Sequence, residues 1–199
     1  MDKQNKILII NGSPRISKNC SKIIENITKK LDENQLNYKI LNIYKMNIDY
    51  CTACGYCEKT GKCIIKDDMT NLYEEFDKSI GTIVVSPMFF QSISTKVKTL
   101  VDRTQVFYAS KYILKQPSID VKKERRGMFI AVGGQPEYKN QFLGGQLVMD
   151  LFFKCINTKL ITNVYMSNSD EVPYQENKEF QKELNSSVIS YIKEIKDII

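Results

Sequence analysis

The chain alternates short apolar runs with amphipathic stretches, and this alternation restricts its fold more than any other feature. Lys6 to Ile10 reads Lys-Ile-Leu-Ile-Ile and closes on Asn11-Gly12-Ser13-Pro14, a turn signal. A continuous apolar run of this length suits a strand covered on both faces of a parallel sheet. From about Asn19 the spacing becomes helical, with Ile23, Ile24, Ile27 and Leu31 on one face. Tyr38 to Tyr44, Gly81 to Val85, Met128 to Val132 and Leu160 to Met166 read as four further strands. Helices are expected after Asp67-Asp68, over about Ser92 to Thr104, over about Gln141 to Cys155, and at the end of the chain. The two aspartates favour the positive end of the helix they precede. Residues 105 to 127 read as a long surface connection, whose basic tract at Lys122, Lys123, Arg125 and Arg126 is expected to face water. Alternation of this kind predicts an α/β fold: a doubly wound, five-stranded parallel sheet of order 2-1-3-4-5 with helices on both faces. Residues 1–199 read as a single domain, with a Cys-rich loop inserted at about 47–66.

Composition removes several function classes. The sequence contains no histidine. That excludes imidazole acid–base catalysis, Ser-His triads and His-ligated metals. The net charge of +6 is modest and scattered, without the basic-aromatic stripe of a nucleic-acid binder. No apolar run reaches the length of a membrane span. The start, Met-Asp-Lys-Gln-Asn-Lys, lacks a signal-peptide pattern, so the expected location is cytoplasmic.

In a doubly wound sheet, ligands bind beyond the carboxyl ends of the strands. Three loops are predicted there. The first, Gly12 to Ser21, opens a helix whose free N–H groups suit a phosphate. Ser13, Ser17 and Ser21 add hydroxyls, Asn19 an amide and Arg15 a planar cation. The same residues read equally well as a helix cap, with Ser17 or Asn19 satisfying backbone N–H groups. The second loop, Ser86-Pro87-Met88-Phe89-Phe90-Gln91-Ser92, is apolar enough to pack on a flat ring or to cap the core. The third, Val132-Gly133-Gly134-Gln135-Pro136, permits close backbone approach or forms an ordinary turn. G-x-x-x-x-G-K-[ST] and G-x-G-x-x-G are both absent.

Taken together, Gly12-Ser13-Pro14-Arg15, Asn19-Cys20-Ser21, Ser86-Pro87-Met88-Phe89-Phe90 and Leu100-Val101-Asp102-Arg103 resemble the NAD(P)H-dependent FMN reductase branch of the flavodoxin-like superfamily. The resemblance runs in matching order across nearly the whole chain, with Cys20 where that family usually has Thr or Ser. It implies a flavodoxin-like fold. It implies that Ser13, Arg15, Ser17, Asn19, Cys20 and Ser21 hold the FMN phosphate. Pro87, Met88, Phe89 and Phe90 are then expected to line the isoalloxazine ring, with Gly133, Gly134 and Gln135 closing its other side. Asp102 and Arg103 are assigned a structural ion pair near the helix end.

Four of the six cysteines lie close together, as Cys51-x2-Cys54-x2-Cys57-x5-Cys63. Clustering of this kind argues for metal or redox chemistry rather than a disulfide scaffold. The first three have the compact spacing of a 4Fe–4S loop, and Gly55 and Gly61 give it freedom to wrap a cluster. A zinc site, a Cys54–Cys57 redox pair and a segment without metal are the rival readings. Cys155 reads as a buried helix position, and Cys20 as a plain residue as far as redox chemistry goes. The segment looks like that of the iron–sulfur flavoproteins, a subgroup of the same family. That likeness implies electron transfer from NAD(P)H or a ferredoxin through FMN and a 4Fe–4S cluster, in a homodimer or homotetramer. A non-catalytic carrier or redox sensor, an FMN or quinone-type reductase without a cluster, and a flavin-free zinc module are the other functions weighed.

Overall fold

The computed structural model describes residues 6–199. The stretch 1–5, read above as a start without a leader, lies outside the described residues. The strands are β1 (Lys6–Asn11), β2 (Asn37–Asn42), β3 (Gly81–Phe89), β4 (Ser92–Ile93), β5 (Arg126–Val132) and β6 (Lys159–Met166). Five of them form a parallel sheet in the order β2-β1-β3-β5-β6. This is the expected topology, because the strands read as fourth and fifth are β5 and β6. β4 was not expected. It folds back on β3, with Met88 opposite Ile93 and Phe89 opposite Ser92, and so takes the first residues of the helix expected from Ser92.

The helices are α1 (Asn19–Glu33), α2 (Tyr56–Thr60), α3 (Met69–Lys78), α4 (Thr95–Arg103), α5 (Gln105–Tyr108), α6 (Leu143–Cys155) and α7 (Lys178–Lys196). The period-2 alternation of the strands builds two cores. Ile7, Ile9, Ile83, Val85, Met128 and Ile130 face α1 and α7. Leu8, Ile10, Val84, Phe129 and Ala131 face α3, α4 and α6. Both faces of the sheet are therefore apolar, which explains the continuous apolar runs.

Residues 105 to 127 depart from the expected surface connection. α5 runs on into a π-helical turn, Ala109–Ile113, and Val106, Phe107 and Ala109 are buried. Phe107 meets the edges of Tyr73 and Phe76 at centroid distances of 5.5 and 6.3 Å. The element is too short to show a helical period, so its apolar residues read as isolated. Arg125 also departs from expectation. It is 1% exposed and donates to the carbonyls of Asp120, Lys123 and Asp77 and to the Asp77 carboxylate.

Phe107→Ala is expected to destabilise the protein by about 3–5 kcal/mol, the cost of truncating a buried aromatic. Lys115→Ala, eight residues further along the same connection, is expected to change stability by less than about 0.5 kcal/mol. Denaturant titration of both variants checks this.

Candidate functional site

The first loop is built so that the start of α1 stays open. The Gly12 N–H donates to Val85 O at 2.8 Å, which carries β1–β3 pairing past the end of β1. Buried Ser94 donates from Oγ to Gly12 O at 2.7 Å, and its N–H donates to Ser86 Oγ at 3.0 Å. Ser13 Oγ accepts the Arg15 N–H at 3.1 Å. The cap position of α1 is Lys18, and no side chain caps the helix. The capping role open to Ser17 and Asn19 is therefore not taken up. Asn19 does something else: its amide donates to Ser169 O at 3.2 Å and accepts the Tyr174 N–H at 3.0 Å. The Asn19 side chain is thereby tied to the segment after β6 rather than to its own helix.

The three loops meet. Ser13, Arg15, Asn19, Cys20, Pro87, Met88, Phe89, Gly134 and Gln135 line a cavity of about 300 Å³. Met88, Gly134 and Gln135 also line an adjoining cavity of about 440 Å³, together with Phe90 and Gly133. Ser17 and Ser21 line neither cavity. Cys20 is buried, and burial pushes its thiol up to about 12, so it is present as a protonated, weak donor. Phe90 and Gln91 form the two-residue turn between β3 and β4, with φ of 50° and 60°. Such turns favour Asn-Gly, so this rim holds its conformation under strain. Phe90 is fully exposed at its tip.

Several contributors escaped the sequence reading, Lys18 at the start of α1 among them. Ser169 and Asp170 follow β6 and line the first cavity, and Gln141 lines the second. The segment after β6 backs the third loop: Asn168, Ser169 and Asp170 donate their N–H groups to the carbonyls of Gln135, Gly133 and Gly134. A Cβ at Gly134 would lie 2.3 Å from Asp170 Oδ2, so a side chain there would displace the Asp170 carboxylate. The strand-end rule that located the other loops applies equally after the fifth parallel strand and would have found Ser169-Asp170. Gln141 is 4% exposed; it donates to Gln135 O at 3.1 Å while its Oε1 has no partner. A cradle open to one flat or phosphorylated group, with one orphaned acceptor in its wall, fits a flavin mononucleotide.

The cysteine segment lies between the end of β2 and α3. Gly55 and Gly61 bracket α2 with φ of 70° and 68°, as their sequence positions suggested. Cys51, Cys54, Cys57 and Cys63 all line one cavity of about 320 Å³. Cys54 is exposed and the other three are half-buried. Burial, and then the proximity of Cys51, Cys63 and Glu58, push the Cys57 thiol up. Among the described residues, no group of three or more Cys, Asp or Glu side chains is gathered to hold a metal ion as it stands. Four thiols around one cavity, with no imidazole in the chain, are nevertheless the donor set that suits an iron–sulfur cluster.

One buried cation ties the ends of this segment together. Arg103 donates to Asp49 O at 2.8 Å, to Ile65 O at 3.5 Å, and to both carboxylate oxygens of Asp67 at 2.6 and 3.0 Å. Asp67 in turn accepts the N–H groups of Asp49 and Met69, and Asp68 accepts that of Asn47. The side chains of Arg103 and Asp67 are each 1% exposed. The expected ion pair near the end of α4 is therefore two pairs: Arg103 with Asp67, and Asp102 with Lys98 at 2.8 Å. Burial alone raises the Asp67 pKa; the Arg103 and Asp49 hydrogen bonds and the guanidinium charge outweigh it and hold the carboxyl below its ordinary value.

The sheet order and the crossovers on both faces define a flavodoxin-like α/β protein. Solved structures agree on the fold. An FMN-dependent NADH-azoreductase from Bacillus anthracis in complex with FMN superposes with a TM-score of 0.71, covering 94% of this chain and 98% of that one at 15% identity. An NADH:FMN oxidoreductase in its apo form gives 0.63, covering 94% and 87% at 13% identity. Residues 5–140 match the NADPH-dependent FMN reductase family, and the chain belongs to that family. Similar curated proteins are iron-sulfur flavoproteins. One from Archaeoglobus fulgidus is 33% identical over 128 residues, 64% of this chain and 62% of that protein. One from Methanosarcina thermophila is 31% identical over 129 residues, 65% and 63%. One from Clostridioides difficile is 30% identical over 120 residues, 58% and 52%. The matched stretch thus spans less than two thirds of these relatives' own length.

Arg103→Met is expected to cost about 3–5 kcal/mol, because it strands the buried Asp67 carboxylate. The double variant Arg103→Met/Asp67→Leu is expected to recover part of that loss. A carboxyl depressed in the folded state stabilises fully above the ordinary carboxylate range and loses this contribution as pH falls below it. Acid unfolding of the wild type should show that loss, and the double variant should lack it.

Proposed function

We propose that the protein is an FMN-dependent oxidoreductase that moves electrons from NAD(P)H or a ferredoxin-type donor, with a 4Fe–4S cluster held by Cys51, Cys54, Cys57 and Cys63. The observation that carries this reading is the pair of cavities: one where the three strand-end loops meet, the other lined by all four cysteines. The names of the curated relatives and the FMN bound in the azoreductase structure support it. Bound FMN supplies hydride and single-electron chemistry; the chain's part is to bind, orient and tune it. Arg15 and the uncapped N–H groups of α1 would hold the phosphate. Met88 and Phe89 would pack against the ring, and the Gly133-Gly134-Gln135 backbone would close on its other side. No side-chain acid or base is needed, which accords with the missing histidines.

A homodimer or homotetramer belongs to the same reading. α6 exposes Leu143, Leu147 and Leu151, one turn apart, on a face that runs toward the Phe90 rim. No helix among the described residues is long and apolar enough to cross a membrane.

A second reading, a family member without a cluster, draws on the absence of a gathered metal site among the described residues. An anaerobic visible spectrum with iron and flavin quantified on one sample separates the two. Flavin bands over a broad iron–sulfur background, with about four irons per chain, are expected. Flavin without iron favours the second reading, and neither flavin nor iron after reconstitution overturns both. Cys54→Ala should lose iron and keep FMN.

Arg15→Ala should bind FMN about tenfold to a hundredfold more weakly, the worth of one charge-assisted hydrogen bond. Fluorescence titration of the apoprotein with FMN checks this, and unchanged affinity would remove Arg15 from the site.

A further inference from the structure

We propose that a basic hollow at the opposite edge of the sheet binds a compact polyanion, a small molecule carrying two or more phosphate groups. The hollow has a volume of about 610 Å³ and sits where β5 and β6 begin and α6 ends. The cavities described above lie at the carboxyl ends of the same strands. The length of β5, roughly 20 Å at about 3.3 Å per residue, separates the two.

The lining contains seven cationic side chains and one acidic one, Glu124. Four segments contribute: the π turn brings Lys111, the basic tract brings four cations, α6 ends with Lys154 and β6 begins with Lys159. The arginines are already spoken for. Arg125 is fixed in the floor by Asp77, and Arg126 pairs with Glu124 and Glu194. The lysines differ. Lys111, Lys122, Lys123, Lys154 and Lys159 form no ion pair among the described residues. Two are nonetheless held in place: Lys123 donates to Lys78 O at 2.6 Å, and Lys111 to Asn157 Oδ1 at 3.3 Å. Burial, and then the Arg125 charge, push Lys123 below its ordinary value against the opposing pull of Asp77 and Asp120; the lining as a whole still sets seven cations against one carboxylate.

Lysines without an ion pair among the described residues also occur elsewhere on the chain, as at Lys29 and Lys182; what sets these five apart is that they line one hollow. A concave surface with uncompensated charge of one sign focuses field and concentrates counter-ions. The volume suits a small ligand. A protein-docking patch would carry an apolar centre, whereas here only Tyr112 and Val121 are apolar and both lie at the wall. Several ammonium groups converging from separate segments suit several phosphates better than one carboxylate.

Inorganic triphosphate is the probe, titrated calorimetrically into the wild-type protein at fixed ionic strength. Binding tighter than about 1 mM, the level of a weak specific complex, is expected. It should weaken as salt is raised, because most of these charges are solvent-facing. Lys122→Glu/Lys154→Glu should bind at least about tenfold more weakly with an unchanged melting temperature. Lys122→Gln/Lys154→Gln should show a smaller loss in the same direction. Lys29→Glu, at an exposed position of α1 outside the hollow, should bind triphosphate as the wild type does. No binding at about 1 mM, or loss in Lys29→Glu but not in the Lys122/Lys154 variants, overturns the proposal. A parallel titration with ATP separates the sources: tighter binding than triphosphate points to a nucleotide seated against Tyr112, equal binding to the phosphates alone, and both support the site.

Discussion

The Arg103–Asp67 pair is the point on which the arrangement around the cysteines depends. The segment from Asp49 to Ile65 contains one five-residue helix and no strand, so it has little core of its own. Its shape comes from its ends. One guanidinium holds the carbonyl before the segment and the carbonyl after it, and Asp67 accepts an N–H from the near side. A buried ion pair returns little net stability, because both charges must leave water. What it supplies here is geometry. Two distant stretches of chain are held at one distance, and the four thiols are left facing one space.

The other edge of the segment's neighbourhood follows a different logic. Around the first loop the structure leaves local interactions unmade: α1 has no side-chain cap, Gln141 Oε1 has no partner, and Phe90-Gln91 sit in a left-handed turn without glycine. Each of these costs about one to three kcal/mol in a protein that had nothing to bind there. They occur together at the carboxyl ends of β1, β3 and β5, where an α/β sheet binds ligands. Uncapped helices, unpartnered buried atoms and left-handed residues occur elsewhere too, so what marks this edge is their coincidence at the strand ends.

This contrast also explains what was legible in the sequence. Strands with both faces buried leave continuous apolar runs, so β1, β3 and β5 were plain, and their order followed from the crossovers. The loops were plain because turn residues punctuate them. Four features were not. α5 and its π turn are too short to show a period, so Phe107 looked like a surface residue. The partner of Arg103 lies 36 residues away, beyond any local pattern. The amide of Asn19 crosses 150 residues to Ser169 rather than capping its own helix. Arg125 sits in a basic tract that reads as solvated, yet both its terminal nitrogens donate to carbonyls of turns that only the folded chain brings near. Periodicity shows which residues are buried together; it does not show which polar group meets which.

The two edges of the sheet suit anions by different physics. At the carboxyl edge the donors are fixed N–H groups together with Arg15 and Lys18 at the start of one helix, so recognition there is short-ranged and directional. At the amino edge the attraction comes from lysines on flexible stems around a shallow hollow, so it is long-ranged and screened by salt. The first kind of site selects a ligand; the second raises the local concentration of any polyanion and holds it loosely. Because β5 runs from one to the other through a close-packed core, a load at Arg126 and a load at Gly133 act on the same strand. Arg126 already ties that strand to α7 through Glu194, and Tyr191 of the same helix donates to Arg126 O at 3.2 Å. These two contacts fix α7 against the start of β5, and with Arg126 so engaged the attraction at this edge is left to the lysines.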